Sequence, residues 1–139
     1  MVDSGIKITN DCIEAFKGFH KAPQKHRFSV FGFNEKFDKV VLVHSAPLDA
    51  TFEDLVTILA QHKACYVFYD CQYENKEGHK RNKALYAIWS GAEASRKEKM
   101  LIASTTKEVE RKCNGFAKKA SFHEWSDLTE QNFIDAVCN

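Results

Sequence analysis

The sequence predicts an α/β fold of the α+β type, with a central mixed β-sheet of about five strands sandwiched between helices. Three observations predict it. Segments rich in aromatic and β-branched residues come in hairpin-like pairs, as neighbouring strands do. Stretches with apolar residues at helical spacing separate those pairs, which calls for a sheet covered on both faces. At 139 residues and 44% hydrophobic, the chain is long enough for one real core and too short for two.

The first helix is expected over residues 9–20. Thr9 and Asn10 suit its N-cap, and Cys12, Ile13, Phe16 and Phe19 recur along one side. Gly18 weakens it by about 1 kcal/mol relative to alanine, and Ala22-Pro23 ends it. Residues 27–33, Arg-Phe-Ser-Val-Phe-Gly-Phe, read as a strand, 34–38 as a turn, and 39–43 as the returning strand. Thr51, with Asp54 three residues on, resembles a capping box, and Phe52, Leu55, Val56 and Leu59 supply an apolar helical face. Residues 64–70 and 85–90 read as two more strands, joined by a polar connection over 74–83. A long helix follows over 96–115, closed by Asn114-Gly115, residues that tolerate a left-handed conformation. A short strand is expected near 117–122, and a last helix from Thr129 with Phe133, Ile134 and Val137 as anchors.

Composition excludes several functions. The formal net charge of +1 creates no global field to draw nucleic acid or an anionic membrane. No apolar run approaches the roughly 20 residues that span a bilayer. The N-terminal Met-Val-Asp-Ser-Gly lacks the basic start and apolar run of a signal peptide. Five cysteines (12, 65, 71, 113 and 138) show no paired spacing and read as free thiols of a reducing cytosol. The expectation is a cytoplasmic, monomeric chain organised as one domain over 1–139.

His62, Cys65, Cys71 and His79 are the residue types of a metal site. Six residues of extended strand hold the two cysteines roughly 20 Å apart, too far to share one zinc. No glycine loop for phosphate, no nucleophile elbow and no local Cys–His pair appears. The chain is therefore expected to be no enzyme, with neither cofactor nor metal.

Two basic clusters remain. On the long helix Ile102, Thr106, Val109 and Cys113 fall on the core side, and Lys97, Met100, Ser104, Lys107 and Arg111 on the opposite side. A methionine in the middle of a basic stripe is an adaptable apolar contact of the kind that meets protein partners. Lys80, Arg81 and Lys83 form the second cluster. Acids nearly balance bases and the aromatics sit in strand patterns, so an acidic protein surface suits these patches better than nucleic acid.

Several motifs occur in one register. Cys65-Tyr-Val-Phe-Tyr-Asp-Cys-Gln-Tyr73, Lys80-Arg-Asn-Lys83, Ala87-Ile-Trp-Ser90, Lys97-Glu-Lys-Met-Leu-Ile-Ala-Ser104 and His123-Glu-Trp-Ser-Asp127 follow one another, after an N-terminal Ser4-Gly5-Ile6. In order and spacing they resemble the actin-depolymerising factor (ADF)/cofilin family over nearly the whole chain. The resemblance implies the ADF-homology, gelsolin-like fold, binding to actin monomers and filaments, and filament depolymerisation and severing at the cytoskeleton. By position it implies a monomer-side surface of Ser4, Gly5, Ile6, Lys97, Lys99, Met100, Ser104, Glu124 and Asp127. It implies a filament-side basic pair, Arg81 and Lys83. It also implies regulation by phosphorylation of Ser4, and phosphoinositide headgroups competing for the same lysines. Lys99 falls on the flank of the helical wheel, so its role rests on the resemblance alone.

The sequence departs from the family pattern in places. Gly91 and Ser95 stand where prolines are common, which is expected to loosen the connection at Gly91 while Ser95 still caps the helix. Ala136 replaces a usual basic residue of the last helix, and the chain ends at Cys138-Asn139. Asp3 places a charge beside Ser4. The alternatives are therefore a monomer-sequestering protein with weak severing, or a related regulator of branched filament nucleation.

Overall fold

The computed structural model describes residues 6–20, 26–113, 116 and 118–138. Among them the chain forms β1 (Lys7–Ile8), α1 (Asn10–His20), β2 (Phe28–Phe33), β3 (Lys39–Ala46), α2 (Phe52–Leu59) and β4 (Ala64–Glu74). It continues through β5 (Lys80–Ser90), α3 (Arg96–Lys112), β6 (Lys118–Phe122), a 3-10 turn (Trp125–Asp127) and α4 (Glu130–Cys138). The six strands lie in the order β1-β3-β2-β4-β5-β6. The two outer pairs are parallel and the inner pairs antiparallel, so the sheet is mixed.

The alternation of β4 explains the two-sided core. Cys65, Val67, Tyr69 and Cys71 join Phe52, Leu55 and Leu59 of α2 and Phe133 and Val137 of α4. The even-numbered Ala64, Tyr66 and Phe68 join Cys12 and Phe16 of α1, Ile102 and Val109 of α3, and Cys113 at its C-cap. A strand covered on both faces has no polar alternation to show, and β4 is buried from Ala64 through Cys71. Phe19, expected in the α1 stripe, has a side chain outside the described residues, as does the Asn114-Gly115 helix stop.

Four differences from the expected elements have physical causes. β1 pairs with β3 over two residues only, too short to leave a periodic signal. β3 runs to Ala46 because a bulge opposite Val30/Phe31 accommodates one extra residue, Val43, and lets the polar His44 and Ser45 keep pairing. Half of the polar connection over 74–83 is strand: β4 and β5 stay paired as far as Glu74 and Lys80. This distal ribbon runs past the end of β2, whose pairing with β4 covers only 66–69, so much of its surface meets water and its sequence is polar. The turn itself spans 75–79, where Asn75 Oδ1 accepts from the backbone N–H of Glu77 and His79 and Gly78 takes φ +82°. Gly91 is held rather than loose. It is buried, its N–H donates to Lys63 O at 3.0 Å, and an added Cβ would stand 2.8 Å from Trp89 Cζ2.

Helix α3 sets the geometry of the candidate surface. Ser95 and Glu98 form its capping box, with N–H to oxygen distances of 3.1 and 3.0 Å. Its core side is Ile102, Thr105, Val109 and Cys113, spaced three, four and four residues apart. Thr105 thus takes the buried place expected for Thr106, which is half-buried and donates back to Ile102 O at 2.6 Å. Two sheet tyrosines pin the helix. Tyr66 Oη donates to Ile102 O at 2.8 Å, and Tyr86 Oη donates to Thr106 O at 3.3 Å. Burial raises the pKa of both hydroxyls well above the ordinary phenol value, so they stay protonated donors.

Replacing Tyr66 by phenylalanine keeps the ring and removes one donor. The expected loss is about 1 kcal/mol, or roughly 3 °C in melting temperature for a chain of this size. A thermal melt followed by circular dichroism tests it, and an unchanged midpoint contradicts the pinning role.

Candidate functional site

The first turns of α3 carry Arg96, Lys97 and Lys99, three cations within four residues. This is an unfavourable place for them, because the helix dipole is positive at its N-terminus, at a cost of several tenths of a kcal/mol each. The capping box offsets part of that cost. Among the described residues no ion pair joins Lys97 or Lys99. The C-terminal half of the same helix is different. Lys107 pairs with Glu110 at 3.7 Å, Arg111 with Glu108 at 2.6 Å, and Lys119 of β6 also reaches Glu110. The basic stripe of the sequence is thus compensated by carboxylates at one end and not at the other.

Met100 lies at the uncompensated end and is 62% exposed, the highest value among the large apolar residues described. Ser104, one turn on, is exposed and donates to Leu101 O at 3.3 Å. Lys97 is exposed and its Nζ stands 4.9 Å from the ring centre of Phe37, in the β2–β3 turn.

Beside this face runs an open groove of about 600 Å³ between α3, β5 and β6. Lys99, Ala103 and Thr106 line its α3 side, and Ser121, His123 and Glu124 the opposite side. His123 Nδ1 is 3.1 Å from Ser90 O, which ties the β6 end to β5. The fold therefore brings Glu124 to the same groove as Lys99, although the two are 25 positions apart in the chain. Asp127 is half-buried at the end of the 3-10 turn, where its carbonyl accepts from Asn132 Nδ2 at 2.9 Å. Trp125, within that turn, is 46% exposed and lies against the buried Trp89, their ring centres 4.7 Å apart.

Two residues expected at a surface take other places. Ile6 is buried in the core beneath α1 and α3, so it anchors the start of β1 and offers no surface. Ser4 and Gly5 lie outside the described residues. Lys83 is half-buried: it projects from β5 toward α4 and its Nζ donates to Val137 O at 3.2 Å, with the Tyr73 ring centre 6.0 Å away. A lysine on the last carbonyls of a helix satisfies an orphan acceptor and complements the dipole. Arg81, one alternation further out on the same strand face, is exposed. Arg81 and Lys83 share the α2/α4 side of the sheet, opposite α3, so the two candidate surfaces face different directions.

The residue types of the metal and nucleophile readings lie elsewhere. Cys65 and Cys71 stand on one face of β4, both buried, and burial pushes the Cys71 thiol up to about 12. At neutral pH such thiols are protonated and behave as small apolar side chains. Among the described residues no group of three His, Cys, Asp or Glu side chains is arranged to hold a metal ion. No helix of the described residues is long and apolar enough to cross a membrane.

The family model for cofilin/tropomyosin-type actin-binding proteins matches residues 5–138. The chain belongs to the ADF/cofilin family of actin-binding proteins. Actophorin of Acanthamoeba castellanii is 28% identical over 127 residues, covering 91% of each chain. Cofilin of Mycosarcoma maydis is 25% identical over 136 residues, covering 98% of this chain and 96% of its own. Among solved structures, cofilin of Streptomyces griseoflavus superposes with a TM-score of 0.86 at 22% identity, covering 96% of this chain and 97% of that one. The mixed sheet between helices is the cofilin fold, and six strands rather than about five build it here.

Within this ADF/cofilin chain Lys97, Lys99, Met100 and Ser104, four residues of one sequence motif, are all exposed. Phe37, whose ring lies under Lys97, has the apolar character of a core residue and no local spacing that marks it. The bond from Lys83 to α4 has no local signal either, since the carbonyl it caps lies 54 positions away.

Proposed function

We propose that this chain remodels actin through two surfaces: a monomer-side face on the start of α3, and a filament-side contact at the distal end of β5. It acts by binding rather than catalysis, as one ADF-homology domain in the cytoplasm. The observation that carries the reading is the exposed Met100 set among Lys97 and Lys99, cations placed where the helix itself gains nothing from them. An acidic groove on the partner would supply the missing counter-charge, and the methionine its apolar centre. Glu124, across the groove from Lys99, and Asp127 would extend the contact to basic groups at the rim of that groove.

Depolymerisation and severing follow if both surfaces engage successive filament subunits. Contacts that favour one filament twist over another shift the population between them, and the boundary between bound and bare segments becomes the weak point. One observation favours a milder second reading. Lys83 is committed to the Val137 carbonyl, which leaves Arg81 as the exposed cation of the expected pair. Filament engagement would then be weak relative to monomer binding, and the protein would act chiefly by sequestering monomers.

Alanine at both Lys97 and Lys99 is expected to weaken monomer binding about tenfold or more, as when close charge pairs across an interface are lost. Arg81→Ala is expected to weaken filament co-sedimentation while monomer affinity stays at its wild-type value. Intact monomer binding in the first variant, or equal losses in both assays for the second, contradicts the two-surface reading.

Phosphate on Ser4 would bring about −1.5 to −2 charges to an interface served by lysines on one side and acids on the other. Ser4→Glu is therefore expected to lower monomer affinity in a fluorescence titration, and unchanged affinity removes the switch. Phosphoinositide headgroups would compete for Lys97 and Lys99 by the same charge logic, with anionic vesicles displacing actin in proportion to their headgroup charge.

A further inference from the structure

The β2–β3 turn carries a feature that hairpin formation does not require. Phe37 takes φ +57°, the left-handed region that glycine and asparagine enter readily and bulky side chains enter at a cost. Its neighbours hold it there. Asn34 Nδ2 donates to Asp38 Oδ1 at 2.6 Å, and Asn34 Oδ1 accepts from the backbone N–H of Asp38 and Lys39 at 3.0 and 3.1 Å. The Phe37 N–H donates to Asn34 O at 3.0 Å. Glycine would close such a turn without strain; here an aromatic ring stands in its place. That ring lies beside Phe33, centres 6.1 Å apart, and on its face sits Lys97 Nζ at 4.9 Å.

We infer that Phe37 is a positioning residue for actin binding: its strained turn holds an aromatic face under Lys97 and fixes the ammonium at the start of α3. The inference rests on the reading of Lys97 as an actin contact. A long lysine side chain loses rotamer entropy when it docks. A ring that already restricts it in the free protein lowers that loss without itself touching the partner. Strain kept at one residue of an exposed turn is a recurring mark of functional placement, and the cation–π contact supplies the reason for it here.

The test combines two measurements. In the free protein, the Lys97 side-chain methylene protons should show upfield ring-current shifts by NMR, lost in Phe37→Leu and kept in Phe37→Tyr. In monomer-binding titrations Phe37→Leu should lose about two- to five-fold in affinity, the worth of an exposed cation–π contact, and Phe37→Tyr should restore it. In a Lys97→Ala background, Phe37→Leu should have no further effect. The inference is overturned if the ring-current shifts are absent, if Phe37→Leu binds as the wild type does, or if its loss persists undiminished without Lys97. If Lys97→Ala alone leaves affinity unchanged while the ring-current shifts are present, the fault lies in assigning Lys97 to the interface; the positioning role then falls with it.

Discussion

The arrangement depends on how α3 is fastened to the sheet. Tyr66 and Tyr86 project from adjacent strands and donate to carbonyls one turn apart on the helix, at Ile102 and Thr106. Ile102, Thr105, Val109 and Cys113 close the apolar contact between those points. Helix axis and rotation are thereby both determined, which leaves the opposite face no freedom to turn inward. An exposed methionine in an unconstrained helix would rotate toward apolar cover; here the tyrosine bonds and the buried stripe prevent it. The exposure of Met100 is thus a consequence of the core beneath it.

Much of this was readable from residues alone, for reasons that differ by element. The capping boxes of α2 and α3 are local patterns, and both form where Thr51/Asp54 and Ser95/Glu98 stand. The strands of β4 and β5 announce themselves as apolar runs because both their faces are covered. Their distal ribbon does not, because much of its surface is in water and its polar sequence reads as a loop. β1 is two residues long and depends on β3 for its existence. The difference between Thr105 and Thr106 is one of 100° on a wheel, and the tertiary packing of α3 on the sheet decides it.

The candidate surfaces divide in the same way. Lys97, Lys99, Met100 and Ser104 belong to one motif on one helix, and all four are exposed in the fold. Glu124 comes to the same groove as Lys99 through the parallel pairing of β5 and β6, which no local pattern predicts. Arg81 and Lys83 look equivalent in the sequence, two positions apart on one strand face. They separate in the fold because α4 ends above one of them and not the other. Ile6, a member of the N-terminal family motif and expected on the monomer-side surface, belongs to the core.

The central claim, that the start of α3 seats on actin, can be read at Met100 itself. The chain contains two methionines, so labelling their methyl groups with carbon-13 gives an almost isolated probe of this position. On addition of monomeric actin in low salt, the Met100 methyl signal should shift or broaden with saturable dependence. With leucine methyls labelled as well, those of Leu48, which is 50% exposed in the connection before α2, should keep their positions. A Met100 signal that stays in place while actin is bound would contradict the account.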